Sequence, residues 1–298
     1  MLTDYQTIME KALKKGPRRF AVAGAEGKEV LEASLRAREM NIMEPILIGS
    51  MTRILTIAAE IQLDLSGVEV SNAEDDADAA EKAARAVQEG RADALMKGNI
   101  STPVVLHTIL EQRFGLRTGN LLSHVALLEI PNYHKLICIT DSGMVIRPSL
   151  EQKKDILKNA LGVMRKLGVD SPKVAILAAN EKTSPDMPET GHAAVLAEMG
   201  SRGEFGPAVI EGPMALDVAF SAESAAIKKI PSQVAGNPDI LLVPDISSGN
   251  IFAKGLVYLA NAKIAGIVVG ARMPIVLISR AEKAETWIRS IALANVMS

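Results

Sequence analysis

A chain of 298 residues that is 48% hydrophobic carries enough apolar mass for one large domain or two smaller ones. Its Lys+Arg total of 33 against an Asp+Glu total of 35 gives a formal net charge of -2, which argues against a nucleic-acid footprint or a polybasic membrane surface. The one cysteine, Cys138, excludes an intramolecular disulfide and a cysteine-rich zinc site, and no run reaches the roughly 18 apolar residues of a membrane span.

The start, MLTDYQTIMEKALKKGPRR, is amphipathic and lacks the apolar core of a signal peptide, so a cytoplasmic protein is expected. Short apolar or β-branched runs then alternate with longer helical patterns. RFAVAGA, EPILIGS, GVEVSNA and ADALMKG read as strands; EVLEASLRAREMN, TRILTIAAEIQLD, DADAAEKAARAVQEG and TPVVLHTILEQRF read as the helices between and after them. This alternation implies mostly parallel sheet with helices on its faces, an α/β fold. The rhythm breaks at LLSHVALLEI and HKLICIT, two strand-like runs separated by PNY, where a hairpin is expected. Ser149 opens SLEQKKDILKNALGVMRKLG with Gln152 in capping-box position. Alternation resumes with KVAILAA and GHAAVLAEMGS, PAVIEGP and AESAAIKKI, DILLVPD and NIFAKGLVYLANA. AGIVVGA, PIVLIS and a terminal helix follow. A change of domain is expected near the antiparallel interruption, with residues 1–130 plus 270–298 forming a discontinuous first α/β domain and 131–269 a second.

In open parallel sheets ligands gather at the carboxyl ends of strands, where loops meet helix N-termini. Three such ends here are polar. In MKGNISTP, Lys97 and Gly98 follow a strand, and Ser101 or Thr102 caps the helix that Pro103 begins; a free helix N-terminus beside an ammonium suits an anion such as phosphate. In VPDISSGNIFAKG, Asp245 ends a strand, Ser247-Ser248-Gly249 makes a turn, Asn250 is a possible N-cap and Lys254 lies one helical turn further on. In PIVLISRAEKAETWIRSIALA, Ser279 and Arg280 stand where a buried strand ends; a guanidinium fork binds phosphate oxygens in pairs, and the hydroxyl can hydrogen-bond developing charge. Taken alone, each stretch also reads as an ordinary cap or surface ion pair, Arg280 with Glu282 or Glu285 for example. Arg117 and Arg147 are further anion-binding candidates. The histidines, His107, His124, His134 and His192, form no close-spaced ligand set, and the zinc-protease, serine-elbow, Walker and dinucleotide fingerprints are absent. Cys138, inside the apolar run KLICIT, reads as core packing.

Together these stretches resemble the phosphate acetyltransferase/butyryltransferase family over nearly the whole chain. ADALMKGNIST, ITDSGMVIRPSLEQKKDILKNA, VIEGPMALDVAFS, VPDISSGNIFAKGL and PIVLISRAEKAETWIRSIALA carry the resemblance, and SRAEKAETWIRSIALA with MVIRPSLEQK tilts it toward the butyryltransferase branch. The resemblance implies two α/β domains with a cleft between them, similar to isocitrate and isopropylmalate dehydrogenases. The implied reaction is reversible: acyl-CoA plus phosphate gives acyl phosphate plus CoA, with no permanently bound cofactor, no metal and a homo-oligomeric enzyme. The family's Ser-Arg pair falls on Ser279 and Arg280. Where acetyl-specific members have an aspartate pair with a base role, this chain has Glu285 and Thr286, which makes Glu285 the candidate base. Lys97, Gly98, Thr102, Asn250, Lys254 and Arg117 are the candidate phosphate and CoA contacts. Two other classes stay open: a protein that binds a phosphorylated ligand without catalysis, and a metal-dependent dehydrogenase on the same fold, for which Asp217 and Asp245 are the available carboxylates.

Overall fold

The structure, a computed structural model, describes residues 2–278 and 282–298. It divides into two compact units, one of residues 5–120 and 265–298, the other of residues 1–4 and 121–264.

The chain begins the first unit with α1 (Tyr5–Lys15), β1 (Arg18–Ala23), α2 (Lys28–Glu39), β2 (Met43–Gly49), α3 (Met51–Glu60), β3 (Glu69–Asn72), α4 (Asp76–Gln88), β4 (Ala94–Lys97) and α5 (Thr102–Leu110). The second unit follows with β5 (Ser123–Glu129), β6 (Ile137–Thr140), α6 (Leu150–Lys166), β7 (Lys173–Leu177), α7 (Pro188–Ser201) and β8 (Val209–Met214). It continues through α8 (Leu216–Phe220), α9 (Ala222–Ile227), β9 (Ile240–Leu242) and α10 (Ile246–Leu259). β10 (Lys263–Val269), β11 (Ile275–Val276) and α11 (Ala284–Met297) complete the chain.

In the first unit the strand order is β3-β2-β1-β4-β11-β10. All neighbours are parallel except β10 and β11, which pair antiparallel through Val268 and Ile275. The inner strands are buried over most of their length, β1 from Phe20 onward, as expected of a sheet covered on both faces. β11 is shorter than the apolar run PIVLIS suggested. Its Ile275 and Val276 face Leu95 and Met96 of β4, and β4 turns away at Gly98, so the ladder runs out. α11 packs against α1 and α2 and buries Trp287 almost completely. Some of its buried polar atoms find partners within the same unit: Ser290 Oγ accepts from the Gly266 N–H at 3.0 Å, and Asn295 Nδ2 donates to the carbonyls of Gly16 and Ile42 at 2.9 and 2.6 Å, whereas Asn295 Oδ1 and Trp287 Nε1 have no partner among the described residues. Lys15 donates to the carbonyls of Asn295 and Val296, placing a cation at the negative end of the helix.

In the second unit the order is β5-β6-β9-β7-β8. β5 and β6 form the expected antiparallel hairpin, with Ala126 opposite Ile139, and the remaining pairs are parallel. One face of this sheet packs Leu128, Ile139, Leu177, Val218 and Leu241 into a single apolar cluster. α6 starts with the capping box read from the sequence: Gln152 N–H donates to Ser149 Oγ at 3.2 Å, and Ser149 N–H donates to Gln152 Oε1 at 2.9 Å. The short helix α8 has no counterpart in the sequence expectation.

Candidate active site

In the first unit, β1 and β4 end side by side, and their exits set the backbone of the MKGNIST loop. A Cβ on Gly98 would stand 2.2 Å from the Gly24 carbonyl oxygen, so only glycine fits there. The N–H groups of Gly98 and Asn99 donate to the carbonyls of Ala23 and Gly24 at 2.8 and 2.6 Å. Lys97 is 5% exposed, and its ammonium donates to the carbonyls of Gly98 and Ile100 at 3.0 and 2.9 Å. The positive charge is thus fixed inside the loop. Ser101 occupies the N-cap of α5 without a side-chain cap bond, and Thr102 is the first helical residue, half-buried.

Glu285 lies in the first turn of α11. Its side chain is 59% exposed, and Oε1 lies 3.6 Å from Arg36 Nη1. Its own backbone N–H and then Arg36 hold the carboxyl below the usual range, so it is ionised at neutral pH but a weaker proton acceptor than an ordinary glutamate. Arg117 is exposed, its backbone bridged antiparallel to Ala271. Ser279 and Arg280, the sequence candidates for oxyanion and phosphate contact, lie outside the described residues.

In the second unit the helix start differs from the sequence expectation. Asp245, not Asn250, is the N-cap of α10: its Oδ1 accepts from Ser248 N–H at 2.8 Å, and Ser248 forms the return half of a capping box. Asn250 and Lys254 therefore lie inside the helix. Asn250 Nδ2 donates to the Ser142 carbonyl at 3.3 Å, while Lys254 is exposed. A Cβ on Gly249 would meet Val243 Cγ2 at 2.7 Å and Ser142 Cα at 3.0 Å; the glycine is there for close packing rather than for a turn.

The turn that α10 touches is built on Asp141, whose carboxylate accepts from the N–H groups of His124, Gly143 and Met144 at 3.0, 2.8 and 2.8 Å. His124 Nδ1 lies 3.1 Å from Ser142 Oγ, and burial holds the imidazole below its ordinary value against the pull of Asp141. Cys138 is fully buried, and burial, then the charge of Asp239, pushes its thiol up. Among the described residues, no group of three or more His, Cys, Asp or Glu could hold a metal ion.

At the carboxyl ends of β7 and β9 the second unit holds a cavity of about 590 Å³. Lys153 and His192 line it, and neither was singled out as functional from the sequence. A signal was present: Lys153 falls on the same stripe as Ile156, Leu157 and Ala160, where an amphipathic helix buries its apolar side chains.

The profile of the phosphate acetyl/butaryl transferase family matches residues 5–85 and 76–295. The chain is 39% identical over 298 residues to a phosphate butyryltransferase of Clostridium acetobutylicum, covering 100% of this chain and 99% of that one. It is 40% identical over 293 residues to a phosphate acetyltransferase of Thermotoga maritima, covering 98% and 99%. A branched-chain phosphotransacylase from Enterococcus faecalis superposes with a TM-score of 0.83 at 31% identity, covering 94% of this chain and 99% of that one. The relatives differ in acyl group and share transfer to phosphate.

Proposed function

The chain belongs to the phosphate acetyl/butaryl transferase family, and from that premise we propose that it moves a short, butyryl-like acyl group between CoA and inorganic phosphate in a ternary complex. It is a phosphate acyltransferase: acyl-CoA plus phosphate gives acyl phosphate plus CoA. The single observation that carries the reading is full-length likeness to enzymes whose names differ in the acyl group and agree in the phosphate acceptor.

In the forward direction a phosphate oxygen attacks the thioester carbonyl carbon, a tetrahedral oxyanion forms, the C–S bond breaks and CoA leaves as thiolate. Arg280 holds the phosphate, with Lys97 and the α5 start contributing positive potential. Gly98 permits the close backbone approach that shapes this loop. Ser279 or a backbone N–H donates to the oxyanion; one such donor is worth about 3–4 kcal/mol. In the reverse direction the CoA thiol, with an ordinary pKa of about 8.5, loses its proton to Glu285. Thr102, Arg117, Asn250 and Lys254 complete the proposed phosphate and CoA contacts. Positioning both substrates supplies roughly 7–11 kcal/mol of the barrier reduction. The raised pKa and burial of Cys138 support direct transfer over an acyl-cysteine intermediate.

The same reading places the enzyme in the cytoplasm, without a permanently bound cofactor, as a homo-oligomer. Exposed apolar side chains on α10, Ile251, Tyr258 and Leu259, support self-association. A panel of acyl-CoA substrates tests the function: thiol release that requires phosphate, persists with a chelator and is fastest for four-carbon chains supports it. Release without phosphate dependence overturns it.

A further inference from the structure

Three lysines are buried among the described residues, and they differ in what their amines do. Lys97 donates to the carbonyls of Gly98 and Ile100, and Lys135 donates to Asp239 and to the Asn237 carbonyl. Lys153, near the start of α6 and 3% exposed, has no hydrogen bond or ion pair with a described residue. Burying an unpaired ammonium is costly, and the neutral amine escapes that cost. Burial accordingly holds Lys153 below its ordinary value, with Glu189 and then Asp245 pulling it back up. A larger share of this amine than of an ordinary exposed one is therefore unprotonated, which is the form that acts as a nucleophile.

The amine is buried but not walled off, because it lines the cavity of about 590 Å³. Leu177, Val243 and Phe252 give that cavity an apolar wall with room for a short aliphatic chain. Arg147 belongs to the same lining; it is exposed and makes no hydrogen bond or ion pair with a described residue. Its fork suits the oxygens of a phosphate group. His192 also lines the cavity, and its buried Nδ1 has no partner among the described residues. Burial and then Lys153 itself hold this imidazole below its ordinary value, against Glu189, so it is neutral at physiological pH and can accept a proton. A nucleophile, a proton acceptor, an anion-binding fork and an apolar wall thus border one space.

We propose that Lys153 is a self-acylation site, modified inside this cavity by a short-chain acyl phosphate. The amine nitrogen attacks the acyl carbon and a C–N bond forms. The bond from that carbon to the phosphate oxygen breaks, inorganic phosphate leaves with the electron pair, and His192 takes the proton from nitrogen. The resulting amide replaces a buried cation with a neutral group, and its chain packs on Leu177, Val243 and Phe252. An amide is too stable to hand its acyl group on to a thiol or to phosphate, so this is a modification by product and not a step of turnover. The inference rests on the transferase reading for the origin of the acyl phosphate.

Peptide mass spectrometry of the folded protein incubated with butyryl phosphate, without CoA, tests the site. Lys153 should be acylated before exposed lysines such as Lys14 and Lys229, and Lys153→Arg should lose that label while the others keep theirs. In urea Lys153 should lose its lead, because the cavity that sets it apart is gone. Lys153 left unmodified, labelled no faster than Lys14 and Lys229 in the folded protein, or equally far ahead of them in urea would each overturn the proposal. Butyryl-CoA given in place of butyryl phosphate separates this inference from the reading it rests on. Labelling of Lys153 that requires added phosphate supports both. Labelling by butyryl phosphate but not by butyryl-CoA plus phosphate leaves the site standing and removes the transferase reading. Labelling by butyryl-CoA that does not depend on phosphate would overturn acyl phosphate as the donor.

Discussion

Arg36 on α2 holds the carboxylate of Glu285 on α11 at 3.6 Å. A group proposed to accept a proton thus stands beside a cation that lowers its proton affinity. If Glu285 acts as base, the acid limb of the pH-rate profile in the CoA-acylating direction reports its protonation. Arg36→Ala should move that limb toward higher pH, because the depressed carboxyl loses one of the charges that depress it. Glu285→Gln should abolish the limb, and a profile identical to that of the unmodified enzyme would take Glu285 out of the proton transfer. Both residues are about half exposed, so folding stability should change little.

Arg280→Ala should lower turnover by about 10²–10³-fold, as loss of one transition-state donor typically does, and raise the phosphate KM, while CoA affinity by calorimetry stays close to unchanged. Near-normal turnover at saturating phosphate would refute the clamp.

Two glycines should respond oppositely to the same change. Gly98→Ala places a methyl 2.2 Å from a backbone oxygen that has no room to retreat, so destabilisation by about 2–4 kcal/mol is expected in urea titration, with loss of activity. Gly162→Ala, inside α6 with nothing within 4 Å, should stabilise by about 0.5–1 kcal/mol and leave kcat alone.

Asp239 accepts from Lys135 at 2.5 Å and from the Lys173 N–H at 2.7 Å, in surroundings where both charged partners are nearly buried. Asp239→Ala strands the Lys135 ammonium and should cost about 3–5 kcal/mol by chemical denaturation. The double change Asp239→Ala with Lys135→Met should recover part of that loss.

Much of the architecture was legible because it depends on local chemistry. The Ser149 and Gln152 pattern announced α6, and the period of apolar runs announced the strands. α10 was misplaced for an instructive reason. Ser247-Ser248-Gly249 has the composition of a turn, yet Asp245 and Ser248 are spaced as a reciprocal cap, and Gly249 is small because Val243 and Ser142 press on it. That pressure is tertiary and leaves no local mark. The extent of β11 depended on where β4 turns away, which its own sequence does not contain. On the site, Lys97 and Gly98 stood out as a loop chemistry could use, but that Lys97 spends its donors on Gly98 and Ile100 required coordinates. Lys153 was visible as a charge on a buried stripe, and the cavity it lines was not.

The burial and raised pKa of Cys138 have a practical consequence. A maleimide or iodoacetamide reagent reacts with thiolate, and this thiol offers almost none in the folded state. A cysteine introduced at an exposed position such as Arg53 or Glu60 would then be the one that takes up a fluorophore, so a single reporter can be followed during turnover without first deleting the native sulfur.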